Sequence, residues 1–452
     1  MTETRGATTI VTNAPGIVDV VALGESMVTF LPSRPGRLAD VPSFERGIGG
    51  AESNLACGLA AAGHSVRWVS RVGADGFGDH LVATVGSYGV DVSAVRRDPV
   101  RPTGVYFRTA GERGTDAHEV AYYRAGSAAS AMSAENVDLE AVRAGRVLHL
   151  TGITAALSEG CRGLLHELTA PGAGRPLISF DVNHRPDLWR DAEGAEVVRE
   201  LARRADVVFV GEDEAWGVTG GPSAVRELLP EPGVLVVKQG AEGATAFVSA
   251  AGRRGLVAQF PAPLGSGGDP VSQGEASSPA EPAGSRDAAG RRGLVAQFPA
   301  PLRSDTDPES QGEASLPAPA AGSRDAAGEW RLVAQFPAPL GSGGDPVSQG
   351  EASSATFVPA LDVDVVATTG AGDAFAAGFL SGMLRGLSVK ACLRAAHLHA
   401  AATLTTPGDL AVPPARDTVD RLAAVDDGTW GTLRLGPGWT QAVQAPEEVR
   451  IP

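Results

Sequence analysis

The chain is poor in cysteine. Its 452 residues include three, Cys57, Cys161 and Cys392, far apart and without a CxxC pair. That spacing argues against a disulfide framework, and the small and apolar neighbours of each thiol suggest reduced, structural cysteines of a cytosolic protein. Positive charge is also in short supply, 38 Lys and Arg against 53 Asp and Glu for a net charge of -15. A protein devoted to a polyanion shows a clustered basic surface, so nucleic acid is not an expected partner, although a local anion site stays open. No stretch reaches the roughly 18 apolar residues of a membrane span. The opening "MTETRGATTIVTNAPG" has neither the basic start nor the apolar run of a signal peptide, so a cytoplasmic location and no membrane partner are expected. Two phosphate-binding fingerprints are missing as well. The strand "VDVVALGES" ends in Gly24-Glu25 where a dinucleotide fold would carry G-x-G-x-x-G, and no G-x-x-x-x-G-K-[ST] occurs.

What is present begins with a hydrophobic content of 43%, enough for a sizeable core. The segment "LVAQFPAPL" starts at Leu256, Leu294 and Leu332, a period of 38 residues. Each copy offers one short apolar patch followed by prolines and then Gly, Ser, Asp and Ala. Such units cannot build the continuous core of a solenoid, and their composition predicts disorder; the rival reading is a recognition segment in triplicate. The flanks, "GATAFVSAAG" and "SSATFVPALDVDVV", both read as β-strands that would join as a hairpin without residues 253–354. An insertion at a hairpin tip costs little, because closure entropy grows only logarithmically with length. The organisation expected is an N-terminal tail (1–17), a domain split between 18–252 and 355–420, the repeats at 253–354, and a C-terminal tail (421–452).

Within that domain, Val-, Leu- and Ile-rich strands ("VDVVALG", "VRWVSRVG", "RVLHLTG", "PLISFDVN", "DVVFVGE", "GVLVVKQG") are spaced by helical patterns near 51–62, 77–88, 157–168 and 193–204. Continuous apolar strands between amphipathic helices predict a three-layer α/β fold with a mostly parallel sheet, and a ligand at the strands' carboxyl ends. "TGVYFRTAG" and "HEVAYYRAG" have no helix between them and read as a small β-lid, its strands at about 28–46 and 103–124. The exposed edge of such a lid offers a place for a second copy of the chain.

Several stretches combine glycine turns with polar side chains. In "TTGAGDAFAAGF", Gly370 and Gly372 allow a tight turn whose amides face an anion at a helix N-terminus, with Asp373 in the first turn. On this stretch alone, a helix cap explains Asp373 as well as a proton acceptor does. "RGIGGAESN" brings backbone amides, Glu52 and Asn54 to one spot, though a tight turn accounts for the pattern too. Tyr122 and Arg124 share one face of a strand, as do Tyr106 and Arg108, which a solvated face would also explain. "DVNHRPDLW" sets Asp181, Asn183 and Arg185 just past a strand end. "VVKQGAEGA" places Lys238 at another, with Gly240 and Gly243 in the following turn.

Taken together and in order, "GIGGAESNLACGLAAAG", "VSRVGADGFGDHL" and "TTGAGDAFAAGFL" resemble the ribokinase-like (PfkB) carbohydrate kinases, over about 18–250 and 355–415. The resemblance implies a ribokinase-like fold, ATP and Mg2+ as cofactors and a small sugar or sugar acid as partner. It implies Asp373 as catalytic base and Gly370, Ala371 and Gly372 as the anion hole. Substrate contacts fall on Gly50, Ala51, Glu52, Ser53 and Asn54, ATP contacts on Asn183, Lys238, Gly240 and Gly243, and a water-mediated Mg2+ contact on Glu214. "RPTGVYFR", "YYRAGSAAS" and "DVNHRPDLW" are most similar to 2-keto-3-deoxygluconate kinases, which implies that Tyr106, Tyr122, Arg124 and Arg185 meet a sugar acid, whose carboxylate suits paired guanidinium donors. Two departures bear on cation binding: Ala367 stands where the family often has an acid, and Gly211 where many members have Asn. The alternatives are a kinase of a neutral sugar such as fructose or ribose, and a non-catalytic sugar-binding or scaffold protein.

Overall fold

The computed structural model describes residues 16–34, 36–109, 119–172, 174–189, 194–215, 220–249 and 354–441. All belong to one compact unit assembled from 1–266 and 349–452. The triple repeat, and with it the disorder or recognition role expected of it, lies outside the described residues.

The first part of the chain forms β1 (Val18–Leu23), β2 (Met27–Pro32), β3 (Phe44–Gly49), α1 (Ala51–Ala61), β4 (Val66–Val69), β5 (Arg71–Gly73), α2 (Gly76–Ser87), β6 (Arg96–Asp98), β7 (Val105–Arg108) and β8 (Val120–Tyr123). The middle adds α3 (Leu139–Arg143), β9 (Gly145–Thr151), α4 (Gly152–Ala156), α5 (Glu159–Thr169), β10 (Leu177–Asp181), α6 (Gly194–Arg204), β11 (Val207–Gly211), α7 (Gly221–Leu228), β12 (Val234–Lys238) and β13 (Gly243–Val248). The last part holds β14 (Ser354–Pro359), β15 (Asp362–Val363), α8 (Ala371–Leu384), α9 (Val389–Leu404), α10 (Arg416–Ala423), α11 (Asp427–Trp430) and β16 (Arg434–Leu435).

Eight strands make the central sheet in the order β14-β13-β12-β11-β10-β9-β1-β4. The six from β12 to β4 run parallel, while β13 and β14 are antiparallel additions at one edge. Side chains along each strand alternate between two cores. Val20, Ala22, Phe209 and Val236 face a layer built with α1, α8 and α9, whereas Val21, Leu23, Val208, Val210 and Val237 face α5, α6 and α7. Because both faces are covered, these strands read as unbroken apolar runs. Each fully buried Leu, Val or Phe stabilises the fold by about 1.5–3 kcal/mol.

Val248 stands opposite Ser354 across the β13–β14 ladder, so the chain leaves and re-enters the sheet at neighbouring positions. Helices α8 and α9 cross closely at Gly378, where a Cβ would lie 2.6 Å from the Ala395 carbonyl oxygen.

The lid is a four-stranded sheet in the order β3-β2-β7-β8, with β2 and β3 overlapping the expected 28–46 and β7 and β8 lying within 103–124. Two expectations need correction. "VRWVSRVG" is not one strand: β4 joins the central sheet, but β5 turns away to pair with β6. The chain beyond 420 does not become a tail at once. It stays folded to Gln441, with Trp430 buried and its indole N–H donating to the Pro359 carbonyl at 3.0 Å, and with β16 pairing β15. These elements are too short to show a periodicity. The three cysteines are buried and unpaired, and no helix among the described residues is long and apolar enough to cross a membrane.

Candidate active site

A cavity of about 410 Å³ opens between the carboxyl ends of the central strands and the lid. Its floor is the N-terminus of α8. Gly370 caps that helix with φ +81, and a Cβ there would come within 2.0 Å of the Asp409 carbonyl oxygen, so glycine is required by both conformation and space. The Ala371 amide bends back to the Thr368 carbonyl at 3.3 Å, which leaves the amides of Gly372 and Asp373 as donors without a partner among the described residues. Of the three residues expected to form an anion hole, Gly370 and Gly372 line the cavity, whereas Ala371 neither lines it nor has a free N–H.

Asp373 does not cap its helix by a side-chain hydrogen bond. Its Oδ2 instead accepts from Asn54 Nδ2 at 2.9 Å, which aims the carboxylate into the cavity. Burial raises its pKa to about 6; the Asn54 amide and Lys238 oppose that rise, while Asp181 and Asp409 add to it.

Strand ends supply the wall. Lys238, last in β12, meets both carboxylate oxygens of Asp181, last in β10, at 3.0 and 3.1 Å. Burial works against the ammonium's charge, but Asp181, Glu214 and Asp373 reverse that effect and hold its pKa above the usual lysine value. A Cβ on Gly372 would lie 3.5 Å from Lys238 Nζ, so the ammonium sits beside the first turn of α8. Asn183 adopts φ +35, a left-handed conformation that Asn tolerates better than most residues, and its buried Oδ1 has no hydrogen-bond partner. Arg185 pairs with Glu214 at 2.8 Å, and the other oxygen of Glu214 accepts from the Gly211 amide at 3.1 Å.

The lid closes the cavity with Tyr106, Arg108, Tyr122 and Arg124. Arg108 pairs with Asp409 at 2.7 Å, the Tyr106 hydroxyl donates to the same carboxylate, and Arg124 pairs with the buried Glu25. Tyr122 is 55% exposed, its ring 5.4 Å from that of Tyr106 and 5.8 Å from the Arg124 guanidinium.

The cavity thus gathers Gly50, Ala51, Asn54, Tyr106, Tyr122, Arg124, Asn183, Arg185, Glu214, Lys238, Gly370, Gly372 and Asp373 from across the chain. Besides Ala371, four candidates sit elsewhere. Glu52 and Ser53 turn into the protein, where Glu52 accepts from Thr151 and Thr154 and Ser53 donates to Ser26. Gly240 and Gly243 shape the β12–β13 turn: Gly240 has φ +58 with open space around it, and a Cβ on Gly243 would strike the Val358 carbonyl oxygen at 2.3 Å. Sequence reasoning missed Asp409, Thr368, Thr369, Met27 and Ile153. Asp409 follows a Pro-Gly turn that reads only as a loop, and its partners lie about 300 positions away, at separations of 303 and 299 for Tyr106 and for the Pro407–Arg108 contact beside it.

The model of the pfkB family carbohydrate kinases matches residues 18–263 and 340–416. The chain is 36% identical over 235 residues to a 2-dehydro-3-deoxygluconokinase of Bacillus subtilis, covering 50% of this chain and 72% of that one. Over 235 residues it is 31% identical to a fructokinase of Zea mays, covering 50% and 71%. The crystal structure of a PfkB protein from Polaromonas sp. JS666 superposes with a TM-score of 0.59 at 26% identity, covering 89% of this chain and 99% of that one.

Proposed function

The chain belongs to the pfkB family of carbohydrate kinases, and we propose that it transfers the γ-phosphoryl group of ATP to a hydroxyl of 2-keto-3-deoxygluconate or a closely related sugar acid, with Asp373 as general base. The observation that carries the reading is the pairing of a cavity-facing carboxylate, oriented by Asn54, with the partnerless amides of Gly372 and Asp373.

A sugar hydroxyl is a weak nucleophile, so the protein must align it, accept its proton and stabilise charge on the phosphoryl oxygens. As the hydroxyl oxygen bonds to phosphorus and the bond to the leaving ADP oxygen breaks, the proton passes to the Asp373 carboxylate. The first-turn amides of α8 and the Lys238 ammonium face the transferred group. The lid keeps water from competing as acceptor.

Mg2+ fits this wall. Among the described residues no three His, Cys, Asp or Glu side chains gather as a metal cage, and Mg2+ needs none, because it keeps most of its water and takes one or two protein oxygens with the phosphates. Glu214 and the partnerless Asn183 Oδ1 would hold it, directly or through water. When bound, the ion supplies neutralisation of phosphate charge.

The sugar-acid assignment draws on the Bacillus subtilis relative and on Arg108 and Arg124 of the lid and Arg185 of the strand-end wall, all of which line the cavity. A neutral sugar such as fructose or ribose is the second reading. What favours it is that each of the three guanidiniums already faces a carboxylate, together with the identity to a fructokinase. An ATP-consumption screen of the purified chain against 2-keto-3-deoxygluconate, fructose and ribose decides between them. Turnover confined to the neutral sugars would overturn the first reading.

A further inference from the structure

We propose that Glu52 is a positioning residue for phosphoryl transfer: with Thr151 and Thr154 it sets the depth and rotation of α1, and through them the Asn54 amide that orients Asp373. The inference rests on Asp373 acting as the base.

Glu52 is 1% exposed, and no cation pairs with it among the described residues. Its Oε1 accepts from the hydroxyls of Thr151, at the end of β9, at 2.8 Å and of Thr154, in α4, at 2.6 Å. The carboxyl group fills a space that exists only because residue 24 is glycine, since a Cβ there would lie 2.1 Å from Glu52 Cδ. An acid buried without a countercharge is costly to fold, and an apolar side chain of similar size would pack there at less expense. What the acid provides is an acceptor able to satisfy two hydroxyls at one point.

The first turn of α1 is buried, and Gly50 packs so closely on the Glu25–Ser26 backbone that a Cβ there would lie 2.4 Å from the Glu25 carbonyl oxygen, but few polar contacts set its rotation. Its capping residue, Gly50, contributes no side-chain hydrogen bond. Ser53 ties the first turn to Ser26 at 2.9 Å, and Asn54 reaches Asp373 at 2.9 Å. Glu52 lies two residues before Asn54 on the same turn and bonds to the strand–helix junction beneath it. Releasing Glu52 frees that turn to rotate, and the Asn54 amide leaves the Asp373 carboxylate. Misplacement of about 1 Å at a reacting group costs up to about 10²-fold in rate.

The test is a double-mutant cycle on the full chain, assayed with whichever of 2-keto-3-deoxygluconate or fructose the wild type phosphorylates. Glu52→Ala is expected to lower kcat by about tenfold or more with the KM for ATP within about twofold, and Glu52→Gln, which keeps an acceptor oxygen, to lose about threefold at most. In an Asn54→Ala background, Glu52→Ala should cost less than about twofold further, because the two act in series. Should Glu52→Ala fail to fold, Thr154→Val enters the same cycle in its place. Losses that multiply in the double variant, or an Ala variant within about twofold of wild type while Asp373→Asn is inactive, would overturn the proposal and leave the base assignment standing. Full activity of Asp373→Asn would instead remove the base assignment itself.

Discussion

Replacing Asp373 by Asn separates the two roles open to a carboxylate in the first turn of a helix. Asn is nearly the same size, and its amide oxygen can still accept from Asn54 Nδ2, which now lies 2.9 Å from Asp373 Oδ2. The pocket should therefore keep its shape, while the face toward the cavity loses a proton acceptor. Loss of a positioned base lowers turnover by about 10² to 10⁴, and the dissociation constant for ATP should change little. The stability effect has a definite sign. Burial raises the Asp373 pKa from 3.8 to about 6, so the folded protein holds this proton more tightly than the unfolded chain. Ionising Asp373 thus costs stability, and the penalty is complete above about pH 6 and absent below about pH 4. Asp373→Asn should accordingly melt at the same or a higher temperature than wild type at pH 8, with the difference shrinking toward pH 4. The wild type's kcat should fall about tenfold per pH unit below about pH 6, as the base becomes protonated. Coupled ATP-consumption kinetics and thermal melts over pH 4–8 give both readouts. Turnover unchanged in the Asn variant, or a large loss of melting temperature at pH 8, would mean that the carboxylate serves the helix and not the reaction.

Other outcomes follow from the same geometry. Arg124 cannot be removed alone without stranding the buried Glu25, so the informative variant pairs Arg124→Met with Glu25→Gln. For a sugar-acid kinase its kcat/KM on 2-keto-3-deoxygluconate should drop about 10²-fold with fructose turnover little affected, as for loss of a charge-assisted contact. Trp430 is 1% exposed, bonds to Pro359 at 3.0 Å and lies 4.8 Å beneath the Arg394 guanidinium. Chemical denaturation of Trp430→Ala should reveal a loss of about 3–5 kcal/mol, whereas a true tail residue would cost nothing. Replacing residues 250–353 by a short turn should leave kcat intact and the melting temperature within a few degrees, because Val248 and Ser354 already face each other and long loops are cheap to close.

Much of the fold is legible in the chain because it repeats locally. Unbroken Val and Leu runs such as Val207–Gly211 belong to strands covered on both faces, and the glycines around Asp373 mark a turn into a helix without any tertiary knowledge. The strands flanking the repeats likewise carry their own pattern. Short elements do not: β5 and β16 span three and two residues, too few to repeat a strand's two-residue alternation or complete a helical turn, so their pairing depends on neighbours far away in the chain.

The site divides along the same line. Residue types at strand ends and glycine turns pointed to Asp181, Asn183, Lys238 and Asp373, because a parallel sheet exposes those positions on one edge whatever the details of packing. Side-chain direction within a helix turn is decided otherwise. Glu52 and Asn54 stand two residues apart, yet one turns under the sheet to Thr151 and Thr154 and the other reaches Asp373. Only the space left by Gly24 and the placement of α8 choose between those directions. Asp409 is the fullest case, a loop acid whose contacts with Tyr106 and Arg108 exist only when the lid has folded over the strand ends. Sequence by itself settled where backbone and charge could gather; the folded chain alone determined which groups meet, since contact energies fall off within a few ångströms and distance along the chain does not report distance in space.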